Sequence, residues 1–155
     1  MRQDALISCA LLIAGLSVTV RLKADTTMTA AGQNVKPAVT RTVWDGVYTE
    51  AQAERGRTSY LQACVSCHGD DLRGDGTAPS LVADSFAFLW GDMTVGELFV
   101  RTRKLMPPAR PASLPAQSYS DIVAFILQKN AFPAGERDLD AEPEALAQIL
   151  ITTTR

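Results

Sequence analysis

The chain has 155 residues and a formal net charge of -2, with 46% hydrophobic and 21% charged positions. That length suits one small domain with flanking segments, and the acidic balance excludes nucleic-acid binding through net positive charge. Ten glycines and eight prolines are many for so short a chain and predict long loops.

At the start, Arg2 supplies a positive charge ahead of an apolar run from Ala5 to Val20, interrupted softly by Ser8, Cys9, Ser17 and Thr19. This reads as a signal peptide over residues 1–24, cut after Ala24 or somewhat later, near Ala30 or Ala31. An uncleaved membrane anchor is the alternative, although a span needs about 20 apolar residues. Cys9 stands too early to be a lipid-modified cysteine. Cleavage after Ala24 removes Arg2, Arg21, Lys23 and Asp4, so the mature chain is more acidic, and it keeps two cysteines. Residues 25–42 show no apolar period and read as a flexible lead-in. Order is expected from about Val43.

Thr49-Glu50-Ala51-Gln52 opens the first predicted helix, with Thr49 as cap and Gln52 completing a capping box. The helix ends on Cys64-Val65-Ser66-Cys67-His68, a C-x-x-C-H string that contains the only histidine of the chain. This is the attachment signature of haem c. Two thiols add across the porphyrin vinyl groups as thioethers, and the adjoining imidazole coordinates the iron. On a helix Cys64, Cys67 and His68 share one face, because positions three and four apart are neighbours. Export and motif support each other, since bacterial haem ligation takes place outside the cytoplasmic membrane. Gly69 is placed to stop the helix.

Gly69 to Leu81 is rich in Asp, Gly and Pro and reads as a loop. Phe86, Phe88, Leu89 and Trp90 form an apolar cluster, partly helical. Thr94 and Glu97 make another capping box. Leu98, Phe99, Thr102 and Leu105 then share a helical face, until Pro107 and Pro108 end the helix. After a proline-rich loop, Pro115 suits the first turn of the next helix. That helix, from about Ser118 to Asn130, carries the clearest stripe: Tyr119, Ile122, Val123, Phe125, Ile126 and Leu127. Residues 140–155 form a tail with at most a short frayed helix. No repeat or strand-like alternation appears. The expected fold is all-α, three to four helices around one covalently bound haem c, with the domain over 43–139.

The second face of the iron must be closed or left open, and no second histidine exists to close it. Thioether sulfur suits haem iron and raises its potential. Beyond the leader the methionines are Met28, Met93 and Met106. Core filling is the ordinary use of methionine, but the motif creates a need for a ligand. Met106 is the predicted one, because Pro107 and Pro108 stiffen the backbone beside it and a helix separates it from His68. Met93 is the reserve, and Met28 sits in the lead-in. Trp90 is expected either to bond a haem propionate through its indole or to fill core. Arg101, Arg103, Lys104 and Arg110 gather around Met106, as a solvated face or as a positive rim that steers an acidic partner.

Gly56 and Tyr60 on the first helix, Phe125 on the last, Pro79, and the pair Met106-Pro107 carry a resemblance to small class I monohaem cytochromes c. It covers Val43 to about Gly135. The resemblance implies that Gly56 lets two helices cross closely and that Tyr60 and Phe125 lock the crossing. It also implies that the Pro79 carbonyl accepts the proton on the outer nitrogen of His68, which fixes the ring, and that Met106-Pro107 is the ligand loop. Val43-Trp44-Asp45-Gly46-Val47-Tyr48 and Phe132-Pro133-Ala134-Gly135 are similar to bacterial members associated with quinoprotein dehydrogenases.

The expected function is electron transfer in the periplasm, with His68 and Met106 as axial ligands of an iron cycling between Fe(II) and Fe(III). Redox partner proteins follow: a periplasmic dehydrogenase and a terminal oxidase, with no nucleic acid. No carboxylate pair suggests substrate chemistry, so the chain reads as a carrier rather than an enzyme, or as the haem subunit of a dehydrogenase complex. A labile sixth position would instead make it a ligand-binding haem protein. Structural zinc lacks a fourth cysteine or histidine, and no βαβ pattern surrounds the motif to suggest disulfide exchange.

Overall fold

The computed structural model describes residues 38–155. They form helices α1 (Glu50–Ala63), α2 (Val65–His68), α3 (Ala83–Trp90), α4 (Val95–Leu105), α5 (Ala116–Lys129) and α6 (Pro143–Leu146). Strand β1 (Arg41–Thr42) pairs in parallel with β2 (Ile149–Leu150). The signal segment 1–24, with Cys9, and the lead-in up to residue 37, with Met28, lie outside the described residues.

Thr49 caps α1 by accepting from the Gln52 amide at 3.0 Å. The other half of the predicted box does not form. Gln52 is fully buried and turns inward. Its Nε2 reaches Asp121 Oδ1 (3.1 Å), Ser120 Oγ (3.3 Å) and the Leu139 carbonyl (2.9 Å), and its Oε1 accepts from the Leu139 amide at 2.6 Å. A buried amide must be bonded on both its ends, and only distant partners satisfy both here. At Thr94 the box is complete, with the Glu97 amide donating to Thr94 Oγ1 and the Thr94 amide to Glu97 Oε2. Pro115 is the N-cap of α5 rather than part of its first turn.

α1 crosses α5 at Gly56. A Cβ there would lie 1.8 Å from the Asp121 carbonyl oxygen, so the crossing requires glycine. The rings of Tyr60 and Phe125 pack over it at 5.4 Å, and Arg55 Nε pairs with Asp121 at 3.2 Å. α5 is buried on every side from Tyr119 to Leu127, because α1 and α4 both pack on it. This exceeds the one-sided burial that its stripe predicts.

Residues 140–155, expected as a tail, pack on the same core as 43–139: Leu146, Ile149 and Ile151 are buried within it. Gly96 admits α6 against α4, since a Cβ there would meet the Ala147 nitrogen at 2.7 Å. Ile151 exchanges backbone bonds with the turn before α4, accepting from Asp92 (2.9 Å) and donating to Met93 (2.8 Å). Trp44 Nε1 donates to the Thr152 carbonyl at 3.0 Å. Arg41–Thr42, expected in the flexible lead-in, is held by the β pairing. Two-residue strands and a one-turn helix carry no period to read; their order comes from burial against distant residues.

Candidate haem site

Cys64 ends α1 at φ -126, ψ -30, and its carbonyl accepts from the amides of Cys67 (3.2 Å) and His68 (3.0 Å). The string is therefore wound as one helical turn, closed by Gly69 at φ 73. Both thiols are free; Cys64 is half-buried and Cys67 exposed. Burial, with the neighbouring Cys67 adding to it, pushes the Cys64 thiol up to about 11.

His68 is buried and its ring is held from the following loop. Gly74 turns the chain at φ 75, where a Cβ would strike the Ala78 carbonyl oxygen at 2.1 Å. The Gly74 amide donates to the His68 carbonyl at 2.9 Å. Asp75 Oδ1 accepts from the amides of Thr77 and Ala78 at 2.9 and 3.1 Å, a side-chain-built turn. Those amides, Ala78 first, hold the Asp75 carboxyl below its ordinary value. The chain then brings the Pro79 carbonyl 3.1 Å from His68 Nδ1. With Nδ1 donating to that carbonyl, Nε2 is left with a free lone pair, the state that binds metal. Tyr60 adds a second tether, its hydroxyl donating to the Gly69 carbonyl at 2.7 Å.

A cavity of about 270 Å³ opens beside the string. His68, Pro79, Trp90 and Met106 all line it, and its walls are mostly apolar: Leu81, Leu89, Leu98, Leu105, Ile122 and Ile126. Tyr60, Arg101 and Thr102 complete the lining. Cys64 and Cys67 are not in the lining but stand on the turn that carries His68. Met93 packs against the core instead. Met106 is the C-cap of α4; its amide donates to the Thr102 carbonyl at 2.8 Å and its carbonyl accepts from the Tyr119 hydroxyl at 2.7 Å.

Trp90 is buried, with the exposed Arg101 guanidinium 5.6 Å over its ring. The sequence placed Arg101 only in a charge cluster and Tyr119 only in a core stripe. A polar-tipped aromatic inside an apolar stripe was the signal available for Tyr119, since a buried phenol needs a partner. These residues fit a haem c: two thiols three positions apart, a buried imidazole with one nitrogen free, a thioether on the same apolar cavity, and a guanidinium at the rim for carboxylates. A closed zinc site does not fit, because no group of three or more His, Cys, Asp or Glu side chains converges among the described residues.

Residues 51–126 match the family described as cytochrome c oxidase, cbb3-type, subunit III. The match supports a cytochrome c domain over this stretch. It runs from the start of α1 into α5 and includes the attachment string, Pro79 and Met106. Such a domain implies covalently bound haem c and haem-based electron transfer, and cytochrome c domains are generally electron carriers rather than enzymes. The helical architecture around the domain fits the all-α cytochrome c fold. No curated protein and no solved structure matches the chain. Among the described residues no helix is long and apolar enough to cross a membrane.

Proposed function

We propose that this protein is a periplasmic electron carrier holding one haem c through Cys64 and Cys67, with His68 and Met106 as axial ligands. One observation carries the reading: His68 and Met106 line the same apolar cavity, and the turn that carries His68 also carries the two thiols, within the stretch matched as a cytochrome c domain. When bound, haem c supplies a one-electron Fe(II)/Fe(III) couple. The residues of the chain set its surroundings. The Pro79 carbonyl orients the His68 ring and raises its basicity as a ligand. The leucine and isoleucine walls exclude water, and with the Met106 thioether they favour a raised potential. Arg101 and Trp90 receive the propionate carboxylates, Trp90 through its indole N–H. The Pro79 carbonyl at the His68 ring and the Tyr119 hydroxyl at the Met106 carbonyl would help to keep both ligands in place.

The apolar run at residues 5–20 supports export. Residues 98–120 contain Arg101, Arg103, Lys104 and Arg110 and no acidic residue, on a chain of net charge -2. With the exposed Leu89 and Leu105 at the cavity rim, they form a basic, partly apolar docking face for acidic redox partners. A periplasmic dehydrogenase, of the quinoprotein kind that the sequence resembles, is the proposed donor and a terminal oxidase the proposed acceptor. The wording of the matched family, an oxidase subunit, favours a second reading in which the chain is a haem subunit of a membrane complex. Co-purification with membrane proteins selects that reading; a freely soluble haem protein selects the first.

The deciding experiment is an optical redox titration of protein produced with the haem ligation machinery. The expected result is covalent haem, a far-red sulfur-to-ferric-iron band that Met106→Ala abolishes, and slow carbon monoxide binding by the reduced form. A colourless polypeptide with the mass of the bare chain overturns the proposal. Rapid carbon monoxide binding overturns Met106 ligation.

A further inference from the structure

Tyr119 stands in the first turn of α5 and its side chain is buried. It donates to the carbonyl of Met106 at 2.7 Å and accepts from the amide of Leu114 at 3.5 Å. One oxygen therefore gathers both ends of the loop between α4 and α5. The other bonds of this loop tie it to α4 or to itself: Met106 to Thr102 at 2.8 Å, Ala112 to Arg103 at 3.0 Å, Arg110 to Pro107 at 2.9 Å. They let the loop move with the last turn of α4, the part of a helix most prone to fray. The loop prolines donate no backbone bonds of their own. Tyr119 makes the polar tie to α5, the helix that lines the cavity through Ile122 and Ile126.

We propose that Tyr119 is the positioning residue for Met106: its hydroxyl clasps loop 106–114 and keeps the thioether at the cavity. This rests on the reading of Met106 as an iron ligand. Tyr119 acts through the backbone of Met106 and is not itself part of the cavity lining. Tyr48 makes an equivalent buried bond away from the cavity, its hydroxyl donating to the Phe132 carbonyl at 2.6 Å, and so provides an internal control.

The test uses the haem-loaded protein. Tyr119→Phe keeps the ring and removes the hydroxyl. Loss of one neutral hydrogen bond predicts roughly five-fold faster carbon monoxide association with the ferrous form. The far-red band should also vanish at a lower temperature than in the unaltered protein, while far-ultraviolet circular dichroism still reports a folded chain. Tyr48→Phe removes an equivalent bond away from the cavity and should lower the unfolding temperature without speeding carbon monoxide binding. An unchanged rate in Tyr119→Phe, or equal acceleration in both variants, overturns the clasp. Should Tyr119→Phe not fold, protein carrying 3-fluorotyrosine at position 119 alone replaces it. Its more acidic hydroxyl bonds the Met106 carbonyl more strongly and slows carbon monoxide entry; no slowing overturns the clasp. A far-red band absent from the unaltered protein overturns Met106 ligation and the clasp together. A band that is present but indifferent to Tyr119→Phe overturns the clasp alone.

Discussion

Cys64 and Cys67 are the same chemical group in two environments. The half-buried Cys64 thiol, pushed up to about 11, stays protonated at neutral pH, while Cys67 meets solvent. Thiolate is the nucleophile, so iodoacetamide at pH 8 should modify Cys67 of the haem-free polypeptide roughly tenfold faster than Cys64. Peptide mass mapping reads the ratio, and equal rates would show that Cys64 is not shielded. Carboxylates provide the second residue-scale prediction. The Thr49 hydroxyl and then Arg55 hold the Asp138 carboxyl below its ordinary value. Backbone and side-chain donors of Thr42 do the same to Asp45. A carboxyl with a depressed folded pKa stabilises the fold above its unfolded value and loses that contribution as pH falls through the folded one. Thermal unfolding should therefore be level down to about pH 4 and decline below it, with a shallower acid decline in Asp138→Asn. An identical acid limb in that variant would remove Asp138 from the account.

Among the elements, the α1–α5 crossing positions the attachment string, because α1 runs directly into it. Gly56→Ala forces a methyl into the Asp121 carbonyl, an overpacking that relaxes only if the helices separate. The expected cost is about 3 kcal/mol, read by denaturant unfolding; a loss below about 1 kcal/mol would mean the crossing is loose. The C-terminal segment does the same service for α4, whose last residues lead to Met106. Truncation after Gln148 removes the buried Ile149 and Ile151 together with the backbone bonds to Asp92 and Met93. At about 1.5–3 kcal/mol for each buried side chain, this should lower stability by about 3 kcal/mol or more. Unfolding of the truncated chain at the wild-type midpoint would return residues 149–155 to the status of a loose tail.

At the scale of the molecule, charge is unevenly spread. Net charge is slightly negative, yet every charged residue in the stretch 98–120 around Met106 is basic. Arg103 and Lys104 are exposed and Arg101 lies over Trp90. Reversing Arg103 and Lys104 to glutamate should slow association with an acidic redox partner and weaken its salt dependence, because steering acts on encounter rates and is screened within a Debye length. Stopped-flow electron transfer at two ionic strengths measures both, and an unchanged rate would leave the cluster as a solvated face. Phe88 is 88% exposed on α3, beside Leu89 of the cavity rim.

The chemistry of the attachment string was legible in five consecutive residues, because helical spacing alone brings Cys64, Cys67 and His68 to one face. The same locality made the Thr94–Glu97 cap, the loop after Gly69 and the apolar stripe of α5 readable. Gln52 misled for the complementary reason: a capping-box glutamine and a buried glutamine look alike until Leu139 and Asp121 arrive from elsewhere in the chain. Tertiary structure brought Met106, the ligand the sequence had favoured, to the cavity and packed Met93 against the core, closed the loop with Tyr119, and drew Ile149 and Ile151 under α4. Short-range spacing is written in the covalent chain, whereas these outcomes depend on which distant surfaces exclude water together, and no single segment carries that information.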